Sequence, residues 1–230
     1  MKTIALATRN AHKVEEIRSI LGESFRYLTL DDFPHAPHVI EDAGTIPGNA
    51  MKKSVGLARF LAHHSGLDAS PQRWVLADDS GLEVDALNGA PGVHSARFAA
   101  LDTQDPGNSP DAENKAKLLR LLRDVPDAKR TARFRCVLAL TPVLREKKSS
   151  ASPVCYADEL ELQTELFEGA CEGRIADAPK GQGGFGYDPL FVPQGHDKSF
   201  GELPADVKNR LSHRAKALEK LSRFLSGNAL

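Results

Sequence analysis

Two adjacent acids, Asp78 and Asp79, close an apolar run over residues 74–77 and are followed by Ser80-Gly81. At the end of a strand they place at least one carboxylate at the sheet edge, where α/β folds usually hold ligands. Neighbouring strand residues point to opposite faces, so one acid can face a ligand while the other caps a turn or pairs with a base. A divalent, oxygen-ligated ion would complete the first; a purely structural turn is the alternative. Residues 181–189, GQGGFGYDP, concentrate four glycines, two aromatics and an acid. Lacking a Cβ, such backbone can bring N–H groups close to a phosphate or a base, and Phe185 and Tyr187 offer flat faces to an aromatic base. The segment reads as a nucleotide-gripping loop or as a plain tight turn.

Three further segments fit the same ligand. Residues 8–13, TRNAHK, stand where a strand hands over to a helix, and a helix start presents unpaired N–H groups and a positive dipole end to an anion. Lys13 adds a mobile charge. The G-x-x-x-x-G-K spacing is missing, which excludes a standard P-loop; a capped helix with an exposed lysine is the other reading. Glu41-Asp42 precede Gly44, and the helix that follows carries Asn49 and Lys53 four positions apart on one face, so carboxylate, amide and ammonium should converge. Lys208, Ser212, His213 and Arg214 surround the start of the last helix with no acid in that short run. Together they suit an anion or a carbonyl; singly, each is a solvated helix end. His63-His64 reads as helix-end surface.

The elements that must position these groups are legible from periodicity. Residues 2–7 form a short apolar run, and after the turn at Thr8-Arg9-Asn10 the residues Val14, Ile17, Ile20 and Leu21 recur at helical spacing. A second helix runs from about Pro47 through Val55, Ala58 and Leu61, followed by a surface loop over 64–73. Residues 74–77 make a buried strand, 82–87 continue extended, 88–92 turn, and 111–123 are helical after Pro110. Residues 131–140 are another strand. The charge run 145–148 and the serines after it mark a solvated hairpin loop within 142–157. Alternation of Leu160, Leu162, Thr164 and Leu166 predicts a half-exposed strand over 159–168, with Arg174-Ile175 in the next. Ser212 should cap a closing helix with the apolar stripe Leu218, Leu221 and Leu225. There is no internal repeat and no clear linker. Mixed strands and helices with long excursions give an α/β or α+β body whose two lobes share one sheet.

The chain of 230 residues suits one large domain or two lobes. With 30 Lys and Arg against 31 Asp and Glu, a net charge of −1 argues against a protein that coats duplex DNA or an anionic membrane. No stretch approaches the roughly 20 apolar residues of a membrane span, and the amino terminus turns polar too soon for a signal peptide, so a soluble, unexported protein is expected. Cys136, Cys155 and Cys171 are odd in number and lack zinc-ligand spacing, which points to a reduced, cytoplasmic setting. Cys136, inside an apolar run, reads as a small core residue.

With TRNAHK, the E-D-A-G…N-A-M-K-K run, ADDSGLEVDALNGAPGVHSARF, GQGGFGYDPLF and LSHR in one order, the chain resembles the Ham1/RdgB/ITPase family of non-canonical purine nucleoside triphosphate pyrophosphatases. The likeness spans nearly the whole chain, and the joint occurrence of DDSGLEVDALNGAPGVHSAR with GGFGYDP is highly specific. It implies a single ITPase-like domain over 1–230, with a central mixed twisted sheet, flanking helices and two lobes around a cleft. It also implies a homodimer, Mg²⁺, and hydrolysis of ITP, dITP and XTP to the monophosphate and pyrophosphate, cleansing the nucleotide pool with no stable nucleic-acid or membrane partner.

Carried over position by position, Thr8, Asn10 and Lys13 match the family's amino-terminal substrate motif, Glu41 a metal-associated acid, and Asp79 the catalytic, metal-linked carboxylate. Lys53 and Ser80 match substrate contacts, and Phe185, Gly186, Tyr187, Asp188, Lys208, His213 and Arg214 the groups that hold base and phosphates. One stretch departs: where members usually read like G-x-T-F-x-E-N-A, this chain has Gly44-Thr45-Ile46-Pro47-Gly48-Asn49-Ala50, without the aromatic and the glutamate. The loops near Ala69 and Ser150 look longer than usual. Pyrophosphate release requires attack at the α-phosphorus, hence a positioned water, an acid and cations on the departing oxygens. Asp79 is the expected base and metal ligand, with Glu41 as second ligand and Lys13, Lys53 and Lys208 as cations. Donors from His213, Arg214 and the loop N–H groups would favour the 6-carbonyl of inosine or xanthine over the amino group of adenine. Guanine shares that carbonyl, so its exclusion must come from its 2-amino group. The competing readings are a pyrophosphatase for modified pyrimidine or methylated nucleotides and a non-catalytic nucleotide-binding module.

Overall fold

A computed structural model describes residues 2–63, 73–103, 107–144 and 159–227. Strand β1 (Lys2–Leu6) leads into helix α1 (Ala11–Leu21), strand β2 (Phe25–Leu28) and helix α2 (Ile46–His63). Then come β3 (Arg73–Val84), α3 (Asp111–Leu121), β4 (Thr131–Pro142), α4 (Glu159–Leu162), β5 (Glu165–Ile175), β6 (Phe191–Pro193), α5 (Ala205–Leu211) and α6 (His213–Gly227). The six strands form one mixed sheet in the order β2-β1-β3-β4-β5-β6, parallel where β1 meets β2 and β3, antiparallel where β5 meets β6. This is the α/β fold anticipated above. The expected loop at 64–73 and hairpin at 142–157 lie, apart from Arg73 and residues 142–144, outside the described residues. Among the described residues no helix is long and apolar enough to cross a membrane.

The chain divides into two compact units. Unit 1 comprises Met1–Asp79, Val137–Phe167 and Leu218–Leu230; unit 2 comprises Ser80–Cys136 and Glu168–Ala217. In unit 1, Ile4, Ala5 and Leu6 of β1 are all buried, as in a parallel strand covered on both faces. Ile17 and Leu21 of α1 and Leu57, Ala58 and Leu61 of α2 supply buried helix stripes. Unit 2 has its own core of Leu82, Val84, Phe98, Leu118, Leu122 and Phe134 with Phe191 and Phe200. Its rings meet at tilted angles, 4.7 Å between the centroids of Phe134 and Phe191 and 5.3 Å between Phe191 and Phe200. Such pairs contribute about 0.5–1.5 kcal/mol each beyond their burial. Cys136 and Cys171 are buried and not in disulfides, and burial pushes the Cys171 thiol up to about 11.

Three readings are corrected. Residues 74–77 and 82–84 belong to one 12-residue strand, β3, third in the sheet order, so Asp78 and Asp79 lie within a strand and not at its end. Acids there are tolerated because lysines from two helices neutralise them, as described below. Beyond Val84 the chain does not stay extended: residues 85–87 make a 3-10 turn closed by Asn88 in the left-handed region. Residues 159–168 are not a strand throughout. Thr164 folds back, its N–H donating to Glu161 O at 3.2 Å and its hydroxyl to Leu160 O at 2.6 Å, which closes α4; β5 begins at Glu165 and already contains Arg174 and Ile175. The leucine alternation misled because Leu166 points outward while Phe167 is buried.

Candidate active site

In unit 1 the chemistry gathers on β3. Asp78, its side chain fully covered, holds Lys13 Nζ at 2.5 Å; Asp79 Oδ1 holds Lys53 Nζ at 2.8 Å. Alternation along the strand sends the carboxylates opposite ways, and each is met by the lysine of a different helix. Both ammonium groups also donate to the backbone oxygen of Asp78, at 3.4 Å from Lys13 and 3.0 Å from Lys53. Thr8 and Asn10 build the start of α1: Thr8 Oγ1 accepts from Asn10 N at 3.2 Å and Asn10 Oδ1 from Lys13 N at 3.3 Å. Two of the N–H groups expected to await an anion are thereby capped by side chains.

The two acids are not equivalent. Asp79 Oδ1 takes Lys53, while its Oδ2 has no partner among the described residues. Burial pushes the Asp79 carboxyl above its ordinary value, and Lys53 and Lys13 offset this only in part. Burial alone would pull the Lys53 ammonium down, but Asp79, Glu41 and Asp78 together outweigh it and hold the group charged. For the pair, the direction that follows is a charged lysine beside a carboxylate short of stabilisation. That suits Asp79 to accept a proton or a second cation, whereas Asp78 is a neutralised structural partner.

Lys53 Nζ also reaches Glu41 Oε2, at 3.4 Å, so one cation bridges two carboxylates. This set fits Mg²⁺, which is commonly held by one or two carboxylates and completed by substrate phosphate and water. No larger cluster of acids, histidines and cysteines occurs among the described residues, so a metal here would be shared with a ligand and not caged. Asn49, expected to converge with Lys53, instead accepts Ala43 N at 3.0 Å. It braces the loop that carries Glu41, helped by Thr45 Oγ1, which accepts Gly48 N at 3.2 Å, and by the Asp42–Lys52 ion pair.

Unit 2 carries the aromatic and basic groups. Asp188 Oδ2 accepts from Lys208 Nζ at 2.8 Å and from Phe185 N at 2.9 Å. The loop can wrap this carboxylate because residue 184 is glycine: a Cβ there would lie 2.1 Å from Asp188 Oδ2. The Phe185 ring lies under two cations, 4.9 Å from Lys208 Nζ and 5.9 Å from Arg214 Cζ. Arg214 is 1% exposed and donates to Ser80 Oγ at 3.3 Å. His213 stacks on Phe134 at 4.8 Å and 13°. Lys208, His213 and Arg214 are therefore buried and not solvated helix ends, and the acid that pairs Lys208 comes from the glycine-rich loop.

Four of the loop's N–H groups are already engaged within the protein. Gly183 N donates to Gly201 O, Phe185 N to Asp188, Gly186 N to Asp111 Oδ2 at 2.6 Å, and Asp188 N to Phe185 O. Tyr187 offers no face to a base; it is 4% exposed in the unit 2 core, its hydroxyl donating to Ser95 O at 2.9 Å and raised in pKa by burial. Phe185 remains as the available shelf. Sequence reasoning missed three supports: Asp111, Phe134 and Gly169. A Cβ at 169 would fall 2.1 Å from His213 O and 2.6 Å from Ala217 N, so β5 admits the first turn of α6 only with glycine there. No local pattern announces any of them, because their partners lie far away in sequence.

Comparison with known proteins identifies the family of the chain. The profile of the Ham1 family matches residues 4–224. The chain belongs to the Ham1 family. A protein named dITP/XTP pyrophosphatase from Geobacillus kaustophilus is 44% identical over 96% of this chain and 93% of its own length. One of the same name from Shouchella clausii is 40% identical over 99% and 98%. The structure of a HAM1 protein from Coxiella burnetii superposes with a TM-score of 0.75 at 36% identity, covering 99% of this chain and all of that one. The Ham1 protein of Staphylococcus aureus gives 0.75 at 32% identity, covering 98% and 99%. A Cβ at Gly48 would come within 2.7 Å of Ala43 Cβ and 2.8 Å of Thr45 Oγ1, so the Glu41 loop occupies the room a longer side chain would need.

Proposed function

We propose that this chain hydrolyses ITP, dITP and XTP to the corresponding monophosphate and pyrophosphate, with residues 1–230 acting as one working domain. The observation that carries the mechanism is the open Oδ2 of Asp79 on a carboxylate whose other oxygen is fixed by Lys53. Asp79 orients a water and takes its proton as the water oxygen bonds to the α-phosphorus; the bond from that phosphorus to the bridging oxygen breaks, and pyrophosphate departs. Lys13 and Lys53 supply positive charge to the phosphate oxygens. Thr8 and Asn10 keep Lys13 at the head of its helix. Asp79 and Glu41 would hold Mg²⁺, which when bound offsets charge on the phosphate oxygens.

The purine is assigned to unit 2. Phe185 stacks on it, Lys208 and Asp188 fix the shelf, and Arg214 with His213 donates to the 6-carbonyl, while Ser80 orients Arg214. Gly186 and Tyr187 shape the loop instead of touching the base. An adenine amino group would leave buried donors unpaired, which costs about 1–3 kcal/mol for each. The relatives' name supports this choice of base. We also read the enzyme as a homodimer in the cytoplasm; an odd number of cysteines without zinc-ligand spacing supports a reducing compartment.

A panel of triphosphates assayed for pyrophosphate, with Mg²⁺ and after chelation, tests the reading. ITP, dITP and XTP should be cleaved and ATP largely spared, with turnover lost on chelation and restored by Mg²⁺. Cleavage confined to methylated or modified pyrimidine nucleotides, or binding without pyrophosphate release, would overturn it. Sedimentation of the purified protein checks the dimer.

A further inference from the structure

The glycine-rich loop has one external restraint that none of the assigned roles uses. Gly186 N donates to Asp111 Oδ2 at 2.6 Å, across 75 positions of sequence. This N–H belongs to the peptide plane joining Phe185 to Gly186. The carbonyl of that plane, Phe185 O, accepts from Asp188 N at 3.2 Å. The plane is therefore held at both ends, and because a peptide is rigid, holding it sets the backbone rotation that aims Phe185. Asp111 provides the shorter and charge-assisted of the two bonds. It is the first residue of α3, where the positive end of the helix dipole favours a carboxylate.

Gly186 itself adds little resistance to turning of this plane. Gly186 sits at φ 60° with open space where a Cβ would be, so many backbone conformations are open to it. Tyr187 is pinned to Ser95 on the far side of the glycine, and Phe185 lies beneath Lys208 and Arg214 on the near side. Asp111 itself is exposed and adds little to the standing of α3. That helix is anchored by Leu118 in the core and by Asn114, which accepts Ala99 N at 2.8 Å and donates to Ala96 O and Ser109 O at 3.2 Å.

We infer that Asp111 is a positioning residue for base selection: by holding the Phe185–Gly186 peptide it fixes the aromatic shelf at the pitch the purine requires. The inference rests on the purine triphosphate reading given above. Asp111 touches no reacting atom, so its loss acts on binding of the preferred base and not on the chemical step.

The experiment compares wild type, Asp111→Ala and Asp111→Asn in steady-state hydrolysis of ITP and ATP, with amide exchange at Gly186 followed by NMR. For Asp111→Ala the KM for ITP should rise about tenfold, the loss expected for one charge-assisted hydrogen bond, with kcat kept within about twofold. The preference for ITP over ATP should fall by a similar factor, and exchange at Gly186 should quicken about tenfold. Asp111→Asn keeps an acceptor oxygen and should recover most of each effect. Unchanged KM and unchanged exchange in Asp111→Ala would overturn the inference, as would a joint fall of kcat, KM and melting temperature, which marks a merely structural role. If wild type fails to cleave ITP, the purine reading falls, and Gly186 exchange still decides whether Asp111 holds the loop.

Discussion

The cluster on β3 in unit 1 and the cluster around Phe185 in unit 2 are assembled by different physics. In unit 1 each acid is matched to a lysine, Asp78 to Lys13 and Asp79 to Lys53, and Glu41 joins the second pair. In unit 2 the groups are placed by close backbone approach and by rings: Gly184 around Asp188, Gly169 under α6, Phe134 against His213 and Phe185 beneath two cations. Charge pairing tolerates small displacements, because a lysine has four flexible methylenes with which to follow its partner. Contact at 2.1 Å from an imagined Cβ tolerates none. Unit 1 should therefore fail by charge and unit 2 by shape.

The sharpest way to break that contrast is to treat the neighbouring acids separately. Asp79→Asn should lower kcat by about a thousandfold, within the range for loss of a positioned base, while leaving nucleotide binding and melting temperature nearly intact. Asp78→Ala should instead unfold: stranding Lys13 costs about 3–5 kcal/mol, read by urea denaturation. Near-normal turnover in Asp79→Asn would remove it from the chemistry.

In unit 2, Arg214→Lys keeps the charge but loses the planar donor fork, so the ITP-to-ATP efficiency ratio should drop by about 10- to 100-fold with little change in kcat. A retained ratio would show that charge alone suffices there and erase the distinction. Gly169→Ala should cost about 1–3 kcal/mol by forcing α6 away from β5, although the substitution adds only one methyl group.

The smallest expected effect concerns acid. Hydrogen bonds from Thr131 and then Arg133 hold the Asp85 carboxyl below its ordinary value of 3.8. A carboxyl depressed in the folded state contributes stability that is present above its unfolded value and lost as pH falls through its folded one. Thr131→Val should thus remove up to about 1 kcal/mol at neutral pH, the low figure reflecting a largely exposed group, and nothing in strong acid. Melting curves at pH 7 and pH 2 check the sign.

What could be read from sequence follows the same divide. The strand–turn–helix of residues 2–21 and the helix carrying Lys53 were legible because periodicity is a local property; Asp79 was preferred to Asp78 only through the family resemblance. Strand β2 was not, since four half-buried residues carry no pattern. Helix α5 was overlooked although Pro204 before it and the Asp206–Arg210 pair within it, 3.2 Å apart, are usable signals. Tyr187 was taken for a ligand face because an aromatic beside glycines looks the same whether it turns outward or into a core. Asp111 and Gly169 could not have been found, for their meaning comes wholly from residues dozens of positions away.

Asp79 closes unit 1 and Ser80 opens unit 2, so the residue that meets Lys53 and the residue that meets Arg214 are joined by a single peptide bond. Sliding β3 by one position would set Ser80 before Lys53 and Gly81 before Arg214, or Asp78 before Lys53 and Asp79 before Arg214, so neither place keeps its residue. Evolution can therefore edit this strand letter by letter, but it cannot change its length: a one-codon deletion within residues 73–84 should be more damaging than any replacement there.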